Sequence, residues 1–290
     1  MSRFSHFLAI DWSGAKGGRQ KGVALAIADA DGGPPVLAAH RWSREDALAV
    51  LRDGLPADTL VGLDLGIALP HADCGDYFPG WPGSPRDAQG LWALIEAVCA
   101  GEANLGASSF VTHPELRAYF RDGANTGAQF GCDGAEHGRG RLRVTEHAQA
   151  AMGCKPYSNF NLVGAAQVGK SSLTGMRMLH ALRGHLPVWP VDLLPDKGSV
   201  VVEIYTSLAA REAGRSAAKS KMRSFEDLNH ALAALGSPPV TGSGAIDDHS
   251  SDALLTAAWL RAVADDPRRW NPAGLTPQIA RTEGWTFGAL

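Results

Sequence analysis

Short apolar runs separated by glycine-rich polar stretches fill the first seventy residues. Residues 7–11 (Phe7, Leu8, Ala9, Ile10, Asp11) read as a buried strand, and 14–22 as a polar, glycine-rich hairpin loop. Residues 23–30 predict a second strand, Asp31-Gly32-Gly33 a turn, and 35–42 a third strand. Ser43, with Glu45 and Asp46 just after it, predicts the N-cap of a helix whose apolar face is Ala47, Leu48, Val50 and Leu51. Gly54 and Pro56 end that helix, and 60–69 returns as a strand. The order is β-β-β-α-β: two hairpins, then a helical crossover to a parallel strand.

The middle of the chain is less regular. Leu91, Leu94, Ile95 and Val98 give 91–100 helical spacing, and a stretch rich in glycine and polar residues follows, from about 101 to 155. It holds a short helical piece at 114–120 and the basic run Arg139, Arg141, Arg143. Leu173, Met176, Leu179 and Leu182 predict a helix over 171–182. Prolines make 188–190 and 193–195 loop or edge segments, because proline is excluded from central strands. A strand at 199–205 and helices at 225–235 and 248–263 follow. The chain reads as a single domain, 1–290, with 101–198 an irregular and helical insertion between its fourth and fifth strands.

Composition narrows the class only modestly. Hydrophobic residues make up 45% and charged residues 20% of 290, ordinary values for a globular chain able to bury a core. A net charge of −3 gives no whole-molecule attraction to nucleic acid, so such affinity would need a local patch. Cys74, Cys99, Cys132 and Cys154 lack tight pairing and suggest reduced thiols. The first apolar stretch is too short for a signal peptide, and no run reaches the ~18 residues of a membrane span. The expectation is a soluble cytoplasmic protein with no membrane partner; its oligomeric state is left open.

The informative breach of the pattern is acidic. Asp11 ends the first apolar run, Asp64 interrupts another, and Glu203 sits between Val200-Val201-Val202 and Ile204-Tyr205. Asp248 and Asp252 stand one helical turn apart where the last long helix begins. A carboxylate inside an apolar strand costs several kcal/mol unless it is neutralised. Four such breaches suggest one shared site, with a divalent metal as the natural neutraliser; without metal, at least one pKa would rise.

This element order, with acids on the first strand, the fourth, a late strand and the last long helix, resembles the ribonuclease H-like fold. Five strings are similar to the domain of unknown function 429 family: Ala9-Ile10-Asp11-Trp12-Ser13-Gly14, Gly62-Leu63-Asp64, Val202-Glu203-Ile204-Tyr205, Asp248 with Asp252-Ala253-Leu254, and Glu283-Gly284-Trp285-Thr286-Phe287-Gly288. The resemblance covers nearly the whole chain. It implies an α/β fold: a ribonuclease H-like mixed five-stranded sheet in β-β-β-α-β-α-β-α order, flanked by helices, with the insertion between strands four and five. It also implies a predicted nuclease acting on DNA or RNA. In nucleases of that fold two divalent ions ~3.5–4 Å apart hold the attacking and leaving oxygens, and carboxylates suited to Mg²⁺ or Mn²⁺ hold the ions. By that analogy Asp11 bridges both ions, Asp64 and Glu203 bind one, and Asp248 or Asp252 binds the other. The i,i+4 spacing puts both helix acids on one face and leaves the choice open, although an N-cap role for Asp248 would favour Asp252.

Other motifs compete. Gly164-Ala165-Ala166-Gln167-Val168-Gly169-Lys170-Ser171 matches the phosphate-binding P-loop pattern, but the half-polar residues before it make a poor buried strand. The glycine-rich turn after Asp11, with Lys16, resembles the phosphate hairpin of actin-like ATPases and sugar kinases, which duplicate a core present here once. Cys132, His137, His147 and Cys154 contain no tight Cys-x₂-Cys knuckle for zinc. Lys16, Lys170 and Arg143 are the candidate phosphate contacts, with Arg211, Arg215, Lys219, Lys221 and Arg223 a second basic run. Two alternatives to the nuclease stand: an ATP-binding phosphotransferase or ATPase, and a non-catalytic scaffold of the same fold.

Overall fold

Strand alternation with period two dictates the layers of this protein, whose computed structural model describes residues 3–19, 22–131, 140–164, 167–216 and 221–290. Strands β1 (His6–Asp11), β2 (Ala24–Asp29) and β3 (Val36–Leu37) form an antiparallel ladder. Helix α1 (Arg44–Ala49), extended by a π turn at Val50–Gly54, crosses over to β4 (Thr59–Asp64), which pairs in parallel with β1. Then come α2 (Ala88–Cys99), α3 (Ser108–Thr112), the small hairpin β5 (Arg121–Asp122) and β6 (Asn125–Thr126), α4 (Val144–Ala151), α5 (Val168–Leu182) and β7 (Val188–Trp189). Strand β8 (Val200–Glu203) lies parallel between β4 and β7. Helices α6 (Thr206–Glu212), α7 (Phe225–Ala234), α8 (Asp248–Val263), α9 (Pro267–Trp270) and α10 (Pro277–Thr282) follow. The result is a mixed α/β sheet of six strands, in the order β3-β2-β1-β4-β8-β7, covered by helices on both faces.

One face carries Leu8, Ile10, Leu25, Val61, Leu63 and Val201 into a core with α2 and α5. The other carries Phe7, Ala9, Ala24, Ala26, Leu60 and Val202 into a core with α6, α7 and α8. Each large side chain buried this way stabilises by ~1.5–3 kcal/mol. The second face is built small above β1 and β2, and α8 lies directly over those strands. Gly62 extends the small surface into β4: a Cβ there would lie 2.8 Å from Ile204 Cγ2 and 2.9 Å from Leu260 Cδ1. This close approach carries the acidic start of α8 towards the strand ends.

The sheet differs from the five-stranded expectation in three ways. The third strand is only two residues long. Strand β4 stops at Asp64, because Leu65 turns its amide back to the Leu63 carbonyl at 2.9 Å. Side chains then replace the ladder, since Gly66 N–H donates to Ser172 Oγ and Ile67 N–H to Glu203 Oε2. A sixth strand, β7, adds at the edge, confined to two residues between Pro187 and Pro190. Among the described residues no helix is long and apolar enough to cross a membrane, and Cys74, Cys99 and Cys154 are free thiols.

A buried guanidinium ties the C-terminal segment to the sheet. Arg143, 1% exposed, donates to both oxygens of Glu203 at 2.6 and 2.8 Å, to Glu146 at 2.6 Å, and to the Glu283 carbonyl at 3.1 Å. The Glu283 carboxylate in turn accepts from the backbone N–H groups of His71, Ala72 and Val144. Thr286 then bridges to Glu203 beside β8, and Phe287 N–H donates to the Glu203 carbonyl at 2.8 Å. Arg143 therefore does not face phosphate as the sequence suggested; the pairing with Glu146 and Glu203 holds it charged. Arg141 is equally interior, bonded to Asp73 and to the Tyr77 carbonyl, and Arg139 lies outside the described residues. Removing one partner from a buried ion network leaves the others uncompensated. Arg143→Met should therefore cost about 3–5 kcal/mol in urea unfolding; a loss below ~1 kcal/mol would show that the network is not what anchors the tail.

Candidate functional site

Asp11 and Asp64 are the last residues of adjacent parallel strands, and the register pairs them directly. Each lies two residues beyond a member of the small face, Ala9 and Gly62, so both carboxylates emerge on the side covered by α8. Glu203 pairs with Leu63 instead and shares the parity of Val201, which sends it to the opposite face, where Arg143 waits. The four acids expected together are thus divided by strand register: Asp11 and Asp64 on one face, Glu203 on the other.

Helix α8 supplies the third member. Its N-cap is Asp247, which accepts from Ser250 N–H at 3.0 Å, so neither Asp248 nor Asp252 serves as the cap. Asp248 pairs with Lys221 at 3.1 Å and is not among the residues that line the cavity with Asp11 and Asp64. Asp252 opens with Asp11 and Asp64 onto a cavity of about 170 Å³, completed by His249, Lys221, Thr206 and Ser207. His249 and Asp252 are i,i+3 neighbours and so share a helix face. His249 Nδ1 lies 3.0 Å from Asp11 Oδ2, and Lys221 Nζ lies 4.0 Å from Asp252 Oδ2.

The electrostatics match a crowded carboxylate site. Burial, followed by the charges of Asp11, Asp252 and Glu203, pushes the Asp64 pKa well above the carboxylate range; the Thr206 backbone N–H opposes this. Burial also raises Asp11 despite its hydrogen bond to His249. Asp252 is pushed up to about 7 by burial and by Asp11, with Lys221 opposing. The hydrogen bond to Asp11 raises His249. Lys221 is raised too: burial works against it, but Asp248, Asp252 and Asp11 prevail. Lys221, and His249 in its protonated form, thus partly offset the carboxylates of Asp11, Asp64, Asp248 and Asp252.

The donors are of the hard-oxygen kind that Mg²⁺ or Mn²⁺ takes. As the side chains stand, no group of three or more His, Cys, Asp or Glu among the described residues is arranged to hold a metal ion. The cavity's positive charge comes instead from His249 and Lys221. The carboxylate oxygens are of the kind such a cation takes, and Asp11 Oδ2 is occupied by His249 at 3.0 Å.

The two candidate phosphate lysines meet elsewhere. Lys16 and Lys170 line a separate cavity of about 390 Å³ with Gly14, Ser108, Thr112 and Asp122. Gly14 is sterically required, since a Cβ there would sit 2.2 Å from the Lys170 carbonyl carbon. Trp12 Nε1–H pins the same turn by donating to Thr174 Oγ1 at 3.0 Å. Before α5 no strand of the main sheet leads into the P-loop-like segment among the described residues: Asn161 makes a single bridge to Arg121, and Ala165 and Ala166 lie outside the described residues. So do Cys132 and His137 of the zinc reading and Lys219 of the basic run.

His249, Thr206 and Ser207 were missed from the sequence. His249 had a usable signal, standing three residues before Asp252 at the helix start; the hydroxyls had none. Compared with known proteins, the chain matches no family model, no curated protein and no solved structure.

An aspartate whose folded pKa exceeds its unfolded value of ~3.9 adds stability at low pH that is lost as pH rises through the folded pKa. For Asp252 that window runs from about 4 to about 7. In chelator, Asp252→Asn should therefore stabilise the metal-free protein at pH 8 by ~1–3 kcal/mol, the gap closing towards pH 4. Urea melts at the two pH values measure this. A variant less stable than the parent at pH 8 would show that the charge on Asp252 is already compensated.

Proposed function

We propose that this chain is a metal-dependent phosphodiester hydrolase acting on DNA or RNA, built on a ribonuclease H-like sheet. The observation that carries the reading is the meeting of Asp11, Asp64 and Asp252 in one cavity at the carboxyl ends of two parallel strands, with less positive charge than they require. Ligands of open α/β sheets bind beyond the carboxyl ends of strands. The strand order β3-β2-β1-β4-β8, with β2 antiparallel to its neighbours, supports the ribonuclease H-like assignment. Of the strings that resemble the domain of unknown function 429 family, three supply cavity acids. The Glu203 and Glu283–Gly288 strings supply the interior network instead.

Asp11, Asp64 and Asp252 would hold Mg²⁺ or Mn²⁺, and the ion would supply positive charge to the attacking and leaving oxygens. The protein's own groups do the rest. Lys221, half exposed at the cavity mouth, attracts and orients the phosphodiester. Water oxygen bonds to phosphorus as the bond to the leaving sugar oxygen breaks. The water proton passes to solvent, and His249, which lines the same cavity, gives a proton to the leaving oxygen when it is in its protonated form. Thr206 N–H fixes Asp64 throughout.

The cavity bearing Lys16 and Lys170 favours a second reading, nucleotide binding by an ATPase or phosphotransferase. ATP bound at millimolar concentration and lost with Lys170→Ala would support it. For the hydrolase, single-stranded, duplex, hybrid and branched substrates are to be assayed with Mg²⁺ and Mn²⁺. Asp11→Asn and Asp64→Asn should each lower turnover at least about a hundredfold. Unchanged turnover in both variants removes the assignment.

A further inference from the structure

A second chamber adjoins the carboxylate cavity, and its lining adds aromatic rings and amides to charged groups that include the Arg143–Glu146–Glu203 network. Asp64 and Lys221 border both spaces. The chamber measures about 320 Å³, within the size range of small-ligand sites, and Trp12, Tyr157, Tyr205, Asn159, Gln149 and Val168 contribute to its walls. Tyr157 is 40% exposed, unusual for a ring beside a cavity with buried neighbours, whereas Trp12 is 4% exposed and held by Thr174. Asn159 and Gln149 each commit a side-chain N–H, to the Ala68 carbonyl and Thr286 Oγ1, which fixes the orientation of both amides.

We infer that this chamber receives one unstacked nucleobase of the substrate, adjacent to the phosphodiester held at Asp11, Asp64 and Asp252. The inference rests on the hydrolase reading and deepens it by naming the substrate class. A cavity with Lys221 and His249 for a phosphate, joined to a larger chamber that adds Trp12, Tyr157 and Tyr205 to its charged walls, matches a nucleotide, whose charged and aromatic parts are covalent neighbours. Aromatic side chains hold bases by stacking without regard to sequence, and planar amides read base edges. A base paired inside a duplex cannot enter such a chamber without leaving the stack. The chain should therefore act on single strands, ends or flaps, and on duplexes only where a base is extruded.

The test separates base recognition from cleavage. Binding of a nucleoside 5′-monophosphate and of the same sugar phosphate lacking the base is titrated through tryptophan fluorescence. The base should tighten binding about tenfold, and Tyr157→Ala should abolish that advantage while leaving sugar-phosphate affinity unchanged. Equal affinity for the two probes, or an undiminished advantage in Tyr157→Ala, overturns the inference whether or not anything is cut. Oligonucleotides then supply the second arm. An abasic nucleotide next to the scissile phosphate should raise KM about tenfold in the parent and leave it unchanged in Tyr157→Ala, and duplex cleaved as readily as single strand contradicts the substrate class. Base-dependent binding without cleavage of any substrate would instead reject the hydrolase and keep the base site.

Discussion

Two aspartates at paired positions on neighbouring parallel strands constitute the constraint on which the rest of this structure depends. Burial drives each towards its neutral form, and the charge of Asp11 adds to that at Asp64. The fold answers with several devices: an amide from Thr206, a histidine on Asp11, and a lysine shared between Asp248 and Asp252. The alanine-rich face of β1 and β2, with Gly62, brings α8 close enough to add a third carboxylate, which deepens the same problem. An arrangement that sacrifices stability at one place, while the cores on either side are filled with buried aliphatic and aromatic groups, is the pattern of a functional site.

Glu203 shows how strand register divides labour among similar residues. One position out of step with Asp64, it leaves the sheet on the other face and becomes the partner of Arg143. The same ladder that places Asp11 and Asp64 in a cavity on one side places Glu203 in a buried ion network on the other. Asp64 lies at the boundary between them, next to the aromatic-walled chamber and within the field of Glu203. The cavity and the anchored C-terminal segment thus adjoin through β4 and β8, although they draw on different side chains.

Much of the scaffold was legible in the sequence because it is written in local periodicity. The apolar runs of β1, β2 and β8, the cap at Ser43 and the amphipathic spacing of α2 and α5 all sit near their expected places. What local pattern does not contain is register and backbone satisfaction. Residues 65–69 are as apolar as a strand, yet side chains of Ser172 and Glu203 take their amides, so β4 ends at Asp64. Arg143 looks in sequence like one member of a surface basic run, because burial of a guanidinium depends on acids 3 and 60 residues away. Asp252 separates from Asp248 only through the fold, which sets Asp252 in the cavity and pairs Asp248 with Lys221. Periodicity named the acids; only the ladder sorted them between the cavity and the buried ion network.

The central claim is that Asp11, Asp64 and Asp252 share a divalent cation. Anomalous diffraction from crystals soaked in Mn²⁺ tests it most directly. A peak among these three carboxylates, with His249 and Lys221 turned away from them, is the predicted result. Carboxylates still held by His249 and Lys221, with no peak in the cavity at saturating Mn²⁺, would contradict it.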